Sequence, residues 1–507
     1  MATSRRKWLQ TSAALTAGCL APMMPGKAIA QGAPAGDGAA GAPGSAAAPA
    51  SQGGQRYGAA NLGLGITRRF GSFLSEIRYA DLPPAAVHEA RRAVLDWLGC
   101  ALAGSQHPTP RILIRTLAGL GSMPDATVLG QKDLKLSLLD AAVANGQMGH
   151  VLDFDDTHLG GVILHTSTAT MPALLAFGER RHSRGEDMIV ALAAAFEAGI
   201  RTGQAMPQHH RGGWHLTGTL GTVAATAGCA RLLGLDPTQT VYALGIGCTQ
   251  AAGMQQNRGS DCKSLHAGKS AYHGVLAASL AANGFNSSAE ILEGSLGFVR
   301  IYSATQNLDA ITAGLGERWA ITGNGYKPYA CGVVLHPLID AAIGASRESK
   351  IPAAQVASIE VLVHPDVIRI TGIDTPGSGL MSKFSANHAA AVAYIDQAGG
   401  VQQFSNERAQ DAQVQALRQR VQVRASQDLR LDQAVARVTS QSGTTVETRI
   451  EHATGTVANP ISDKALEVKF LGNADGVIPA AQAREVAELV WHLETVPDIG
   501  AILQRCR

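Results

Sequence analysis

The chain has 507 residues, of which 46% are hydrophobic, 16% charged and 5% aromatic. This composition is typical of folded globular proteins and too apolar for a disordered chain, and the length allows two or three domains. Lysines and arginines number 42 against 40 aspartates and glutamates, a net charge of +2, which argues against a protein that coats nucleic acid or anionic membranes. We therefore expect a small-molecule partner and no nucleic acid.

The first thirty residues are typical of an export signal. Arg5 and Arg6 lie in the segment SRRKWLQ, an uncharged stretch follows from 11 to 26, and Ala28-Ile29-Ala30 forms a small-residue cleavage pattern. We predict a twin-arginine signal peptide over residues 1–30 and a periplasmic protein. The alternatives are an incidental basic N-terminus and lipid attachment at Cys19.

The next segment, residues 31–61, consists mostly of glycine, alanine, proline and serine. Such a segment has too few large apolar side chains to offset the entropy of folding, so we predict a disordered linker. No later stretch contains eighteen unbroken apolar residues, so we expect no stable membrane span.

Helical periodicity dominates the following region, because apolar residues recur at intervals of three and four. The predicted helices cover residues 83–104, 188–200, 217–235, 237–253 and 264–283. Asp236 is the expected cap of the fourth. Their faces are rich in alanine and glycine, which allows close helix packing. We predict a helical domain whose first part spans residues 62–325.

After residue 325 the apolar residues alternate, as they do in strands. Residues 359–363, 421–423, 436–438 and 446–450 show this pattern, and the last two flank Ser442-Gly443 as in a hairpin. Helical signals at 411–419 interrupt the strands. We predict an α+β lid domain over 326–459. Past Pro460 the helical period returns, with Ser462 as a cap, so 460–507 is predicted to complete the helical domain. The predicted fold class is mainly α: a large all-helical domain split in sequence plus a smaller α+β lid domain.

Several ionisable segments are candidates for a site. Residues 149–158, GHVLDFDDTH, contain Asp153, Asp155 and Asp156, carboxylates that can hold a proton or a cation. Helix caps and a solvated turn are the alternative. The EF-hand spacing is absent, and the seven cysteines show no zinc-site spacing, so no metal is expected.

Two further segments combine imidazoles with cations. His209 to His215 includes Arg211 and precedes a predicted helix, whose N-terminus favours a bound anion. In residues 261–273, helical spacing places four polar residues on one face, where they can clamp carboxylates: Lys263, His266, Ser270 and His273.

The segment YKPYACGVVLH, residues 326–336, lies where the helical part gives way to the insert. Lys327 and Cys331 are therefore expected to face a cleft between domains. The alternative for Cys331 is a small buried hydrophobic residue. The chain lacks GxSxG, a phosphate loop and a dinucleotide fingerprint, which disfavours serine-hydrolase, ATPase and hydride-transfer chemistry.

Five segments in order resemble the MmgE/PrpD family: DFDDTH at 153–158, GWHLTGTLGT at 213–222, KSLHAG at 263–268, ILEGSLGF at 291–298 and YKPYACG at 326–332. The family includes 2-methylcitrate dehydratase, cis-aconitate decarboxylase and iminodisuccinate epimerase. The resemblance implies a homodimer and a cofactor-independent acid/base enzyme. It also implies a di- or tricarboxylate substrate that passes through a carbanion-like state.

The family's active-site positions carry over onto Asp153, Thr157, His165, His215, Lys263 and Lys327. A position that is commonly tyrosine in the family is His388 here. By this resemblance the two lysines neutralise substrate carboxylates, His165 or His215 moves the proton, and Asp153 orients a histidine or holds the polar network. Thr157, His266, Arg211 and Cys331 are further candidates for binding substrate.

Three functions remain open from the sequence. A lyase, either a dehydratase or a decarboxylase, is the first. An epimerase of a dicarboxylate such as iminodisuccinate is the second, because His388 or Cys331 offers a second base. An exported, non-catalytic carboxylate-binding protein is the third.

Overall fold

The computed structural model describes residues 65–507. The predicted signal peptide and linker lie outside these residues. Among the helices of the described part, none is long and apolar enough to cross a membrane.

Helices form the first part of the described chain. In chain order they are α1 Ile66–Glu76, α2 Pro84–Ser105, α3 Pro108–Gly119, α4 Leu138–Val151, α5 Thr166–Arg181, α6 Gly185–Gln204, α7 Leu216–Leu233, α8 Pro237–Cys248, α9 Asp261–Ala282, α10 Phe298–Tyr302 and α11 Asp309–Thr312. Four of the five predicted helices match α2, α6, α7 and α9 within a few residues. Their apolar faces share one hydrophobic core, with Trp97, Phe70 and Phe196 fully buried in it.

Two short antiparallel ladders interrupt these helices, a feature that the prediction of an all-helical domain did not contain. Strand β1 Ala126–Thr127 pairs with β2 Lys135–Leu136, and β3 Thr157–His158 pairs with β4 Asn324–Gly325. A strand of two residues has no periodicity that a sequence can reveal. The second ladder matters for the site, because it brings Thr157 beside the residues that precede Lys327.

The predicted helix over 237–253 ends at Cys248 instead. Gly253 adopts φ 154°, and its carbonyl oxygen accepts a hydrogen bond of 3.0 Å from the backbone N–H of His215. Residues 249–253 therefore leave the helix to join the segment before α7.

Glycines allow α4 and α9 to touch through their backbones. A Cβ atom on Gly268 would lie 2.1 Å from the carbonyl oxygen of Val143, and one on Gly146 would lie 2.6 Å from the Cα atom of Gly268. Helix α9 also packs along α7. The C-terminal end of α4 and the N-terminal halves of α7 and α9 are thus held together at one end of the bundle.

The following region has a core of its own and combines helices with a sheet. Its elements are α12 His336–Ser349, β5 Val356–Val363, α13 Pro365–Ile370, α14 Gly379–Ser382, α15 Ala386–Asp396, α16 Asn406–Gln410, α17 Ala412–Arg418, β6 Val421–Ala425, β7 Ala434–Ser440 and β8 Thr445–Ile450. The sheet order is β6-β5-β7-β8, with β5 and β6 parallel and the other pairs antiparallel. The predicted strands and the β7–β8 hairpin are all present.

The C-terminal helices return to the helical core. They are α18 Asp463–Ala474, α19 Ala480–Trp491 and α20 Gly500–Arg505. Helix α18 packs on α2, where Arg92 contacts Asp463 and the Lys469 ammonium lies 2.7 Å from the Asp96 carboxylate. The mainly α fold with a small sheet region is confirmed, while the predicted domain boundaries remain predictions.

Candidate functional site

Asp153 lies in the turn that follows α4. It adopts the left-handed conformation, with φ 51°, which aspartate tolerates better than most residues. Its backbone N–H donates to the carbonyl oxygen of His150 at 3.0 Å, closing the turn. The side chain is only 4% exposed, so its charge needs partners inside the protein.

Two lysines from distant segments supply those partners. Lys263 on α9 donates from Nζ to Asp153 Oδ2 at 3.0 Å. Lys327, just past β4, donates to Oδ1 at 2.5 Å and to the backbone oxygen of Asp153 at 3.0 Å. The structure thus brings together three residues that the sequence analysis selected.

The charges in this group do not balance. Burial alone would raise the pKa of Asp153, but Lys263 and Lys327 outweigh it and hold that pKa well below its usual range. Burial lowers the pKa of Lys263, whereas at Lys327 the nearby carboxylates outweigh burial and raise the pKa. Two ammonium groups facing one carboxylate leave a buried positive excess, which favours an anionic ligand.

A third ammonium lies nearby that the sequence analysis missed. Lys383 is 3% exposed and donates to the carbonyl oxygens of Leu152 and Ala330, each at 2.7 Å. Burial lowers its pKa to about 8. Lys383 directly precedes Phe384-Ser385, the start of the segment that contains His388. This position is the signal by which the sequence could have indicated Lys383.

His165 directly precedes α5, and its side chain faces oxygen atoms. Its Nδ1 lies 3.1 Å from each of three oxygens: Thr157 Oγ1, the backbone oxygen of Asp156 and Asp155 Oδ2. Burial lowers the pKa of His165, while Asp155 opposes this effect. His165 is therefore a buried imidazole whose Nδ1 contacts these oxygens, which leaves Nε2 as the nitrogen for proton transfer.

Further imidazoles lie beside it. His215, at the N-terminus of α7, and His266 on α9 share a hydrogen bond of 2.9 Å between their Nδ1 atoms. His150 packs between His165 and His215, with ring centroids 4.6 and 5.8 Å apart respectively. Burial and, after it, the charge of Lys263 lower the pKa of His215 well below its usual range. Burial lowers the pKa of His266 to about 4. Neutral imidazoles are thus expected at pH 7, suited to proton transfer.

Two of the selected residues do not join this cluster. The Arg211 side chain is 63% exposed and lies 3.5 Å from Asp366. His388 is buried, but its Nε2 bonds the backbone oxygen of Gln403 at 2.9 Å and its ring packs on Phe404. Their predicted roles have no support from these contacts.

Cys331 is a neighbour of the cluster rather than a member. Its Sγ contacts the carbonyl oxygen of Gly332 at 3.8 Å, and burial raises the pKa of the thiol. A thiol that stays protonated is a poor base, which matches the alternative interpretation of a small buried residue.

A cavity of about 450 Å³ adjoins the cluster and shares Thr157 and Lys327 with it. Its other walls are largely apolar and come from both regions of the fold, including Ile163, Val334 and residues 452–458. Buried His336 also lines it, and the Nε2 of this residue has no hydrogen-bond partner.

His150, Asp155 and His165 also offer three possible metal-ligand atoms within 4.8 Å of one another, the one such group among residues 65–507. The nitrogen and oxygen donors suit a transition metal. The nearby Lys263 and Lys327 oppose a cation, however, and both Nδ1 atoms already lie at hydrogen-bond distance from Asp155. The group therefore fits a hydrogen-bond network better than a metal site.

Two family models match most of the described chain. Residues 68–311 match the model of the MmgE/PrpD N-terminal domain, and residues 329–495 match that of the MmgE/PrpD C-terminal domain. The chain is 25% identical over 477 residues to cis-aconitate decarboxylase from Aspergillus terreus, covering 88% of this chain and 96% of the relative. It is also 25% identical over 458 residues to human cis-aconitate decarboxylase, covering 86% and 93%. The similarity to both enzymes thus extends over most of the described residues.

Proposed function

Because the chain belongs to the MmgE/PrpD family, we propose that it is a lyase that decarboxylates a di- or tricarboxylate related to cis-aconitate. The relatives are named for that reaction. The observation that carries the proposal is the buried excess of ammonium groups around Asp153, directly beside neutral imidazoles.

Substrate carboxylates bind to the positive charges in this proposal. Lys263 and Lys327 contact one carboxylate between them, Asp153, so a substrate carboxylate provides the second direct ion-pair partner. The N-terminus of α7, an eighteen-residue helix, adds backbone N–H groups and a favourable dipole beside His215. Asp153 itself serves to hold both ammonium groups in place.

The chemical step breaks the bond between a substrate carbon and its carboxylate. CO₂ leaves, and the electron pair remains on the substrate, where the ammonium groups stabilise the negative charge. His165 or His215, neutral at rest, takes up a proton from solvent and, as the imidazolium, donates it to the carbanion-like carbon, which returns the ring to its neutral state. General acid catalysis of this kind contributes about 10²–10⁴ in rate. Every proposed step uses side chains of this chain.

The test is proton NMR in D₂O with cis-aconitate, 2-methylcitrate and iminodisuccinate as substrates. CO₂ release with a new vinyl signal and deuterium in the product is the expected result. A dehydrated product without CO₂ identifies a dehydratase, and deuterium exchange without net change identifies an epimerase. Saturable binding of these acids without conversion identifies a carboxylate-binding protein.

Lys263→Met and the matched control Lys464→Met sharpen the test. Lys464 is an exposed lysine on α18. We expect Lys263→Met to lose at least 100-fold in kcat/KM because a buried positive charge next to the substrate is removed, on the order of 3 kcal/mol of transition-state stabilisation. Equal activity of the two variants would contradict the assigned site.

The location of the protein is a separate proposal. We propose that residues 1–30 direct the folded protein to the periplasm through the paired arginines. Replacing Arg5 and Arg6 by lysine keeps the charge but removes the recognised pair. The variant is expected to accumulate in the cytoplasmic fraction, and unchanged periplasmic recovery would contradict the proposal.

A further inference from the structure

Asp155 binds two imidazoles at once. Its carboxylate oxygens lie 3.0 and 2.9 Å from Nδ1 of His150, and Oδ2 lies 3.1 Å from Nδ1 of His165. The Asp155 and His150 side chains are fully buried, and His165 is 9% exposed. In the sequence, Asp155 is recognisable only as one of three clustered carboxylates.

This arrangement determines where the protons are. An ionised carboxylate accepts hydrogen bonds and donates none, so both Nδ1 atoms carry hydrogen. Nδ1 of His165 also faces the backbone oxygen of Asp156, another acceptor, and Thr157 Oγ1, a hydroxyl oxygen that can accept as well. In the neutral ring the remaining nitrogen, Nε2, must then hold the lone pair.

His150 gains nothing else from its imidazole. Its Nε2 is a buried atom without a hydrogen-bond partner, which is unfavourable in a protein interior. An apolar side chain would fill the same space between His165 and His215 without this penalty. The imidazole is thus explained by its one bond, the donation to Asp155.

We propose that His150 and Asp155 are positioning residues for His165, which they hold in the Nδ1–H tautomer so that Nε2 is the nitrogen that exchanges protons with substrate. Asp155 also stabilises the imidazolium that forms when Nε2 takes up a proton, and His150 keeps the carboxylate from rotating away. This inference rests on the proposed function in giving His165 a role in proton transfer.

The electrostatic surroundings predict a specific shift. Burial is the largest cause that lowers the pKa of His165, and Lys327 and Lys263, which face the ring, lower it further, whereas Asp155 raises it. His150 packs on the ring, and Asp153 lies nearby. Replacing Asp155 by asparagine removes the negative charge that raises the pKa. The limb of the pH–rate profile that reflects the titration of His165 should therefore move to lower pH, whether the neutral or the protonated ring is the active form.

The tautomer is measured first, in the unmodified protein and without reference to activity. Long-range ¹H–¹⁵N NMR of the protein labelled in histidine gives the protonation of each ring nitrogen, and His165→Asn identifies the signal of His165. We expect the Nδ1–H tautomer at neutral pH. A signal of the Nε2–H tautomer would overturn the proposal.

Asp155→Asn then tests the consequence for turnover. The amide oxygen of asparagine accepts a hydrogen bond from one imidazole, but its NH2 group can only donate to the other. At least one ring is therefore expected to change tautomer. We expect kcat to fall by about 10²–10⁴ with KM changed less than threefold, together with the shift of the pH limb. Loss of activity with an unmoved limb and an unchanged tautomer of His165 would show a merely structural role and contradict the proposal.

Variants of His150 separate its N–H group from its volume. His150→Gln keeps a donor for Asp155, and His150→Leu does not, so the glutamine variant should retain at least tenfold more activity. His158→Gln is the matched control, because His158 is equally buried but its ring nitrogens face only the backbone oxygens of Val162 and Ala320. The control is expected to leave the pH limb unmoved.

The two proposals fail differently. If the unmodified protein converts none of the acids, the proposed function fails, yet the NMR measurement still decides the tautomer. If the protein converts an acid and Asp155→Asn does so with the unmodified pH profile, only the positioning role fails.

Discussion

Asp153 shows at the scale of one residue how a buried charge is kept. Its carboxylate is stabilised only because Lys263 and Lys327 reach it from segments 110 and 174 residues away. The same contact holds close together two ammonium groups that would otherwise repel each other in a medium of low polarity. Substituting one residue therefore disturbs three charges.

We predict that Asp153→Asn destabilises the protein by about 3–5 kcal/mol, because it leaves two buried ammonium groups without their carboxylate. Urea unfolding of the variant measures this loss. Asp125→Asn is the matched control: Asp125 and its partner Arg180 are 43% and 63% exposed, so its loss is expected to stay below about 1 kcal/mol. Similar losses in both variants would contradict the importance of the cluster for stability.

At the scale of secondary-structure elements, two helices pack closely where glycines let their backbones meet. Helices α4 and α9 touch at Gly146 and Gly268. Because α4 leads into Asp153 and α9 carries Lys263 and His266, the distance between the two helices sets the distance between these groups.

We predict that Gly268→Ala lowers both stability and turnover. The added methyl group would meet the Val143 carbonyl at 2.1 Å, so the helices must separate, at a cost of about 1–3 kcal/mol. Gly472→Ala on α18 is the control, since nothing lies within 4 Å of the new atom, and alanine should stabilise that helix by about 0.5–1 kcal/mol. Thermal unfolding and kcat of both variants decide the matter, and a neutral Gly268→Ala would contradict the tight contact.

Local features of these elements could be predicted from the sequence, and contacts between them could not. Asp236 and Ser462 cap α8 and α18 as predicted, since a cap depends on a bond to a residue three positions away. Lys383 was missed, and the role of Asp155 beyond a clustered carboxylate was not recognised, because their partners lie on other elements. The orientation of His388 follows from how α15 packs, which no spacing reveals.

At the scale of the whole molecule, many histidines are neutral because they are wholly or partly buried. Burial lowers the pKa of these side chains to about 3 or 4, whereas the unfolded chain takes up protons below about pH 6.5. The group consists of His150, His158, His209, His210, His266, His273, His336 and His388. Between pH 6.5 and 4 the unfolded state therefore binds more protons, and stability must fall as the pH falls.

We predict a steep drop of the melting temperature over that acidic range. On the alkaline side the change is shallower. Burial, aided by Asp96, raises the pKa of Asp156 to about 8, so the folded state keeps one proton that the unfolded state loses. Lys383 and Lys269, whose pKa burial lowers to about 8, partly offset this effect. Stability should therefore decline slightly from pH 7 to 8. Melting curves at fixed ionic strength from pH 4 to 8 measure both slopes. A flat acidic side would show that the buried histidines are charged in the folded state.

The predicted homodimer also belongs to this scale. Light scattering of the purified protein is expected to give twice the chain mass of 52.5 kDa, reduced by the signal peptide where it is removed. A mass equal to one chain would contradict this prediction.

The return of α18 to α2 has a consequence for synthesis in the cell. The face of α2 that contacts Phe470 and Asp463 is synthesised early. Helix α18, which covers this face, leaves the ribosome only after nearly all other residues. A chain cut short anywhere before α18 exposes that apolar face and the unpaired Asp96. A truncated product is therefore expected to be cleaved by proteases faster than the complete chain.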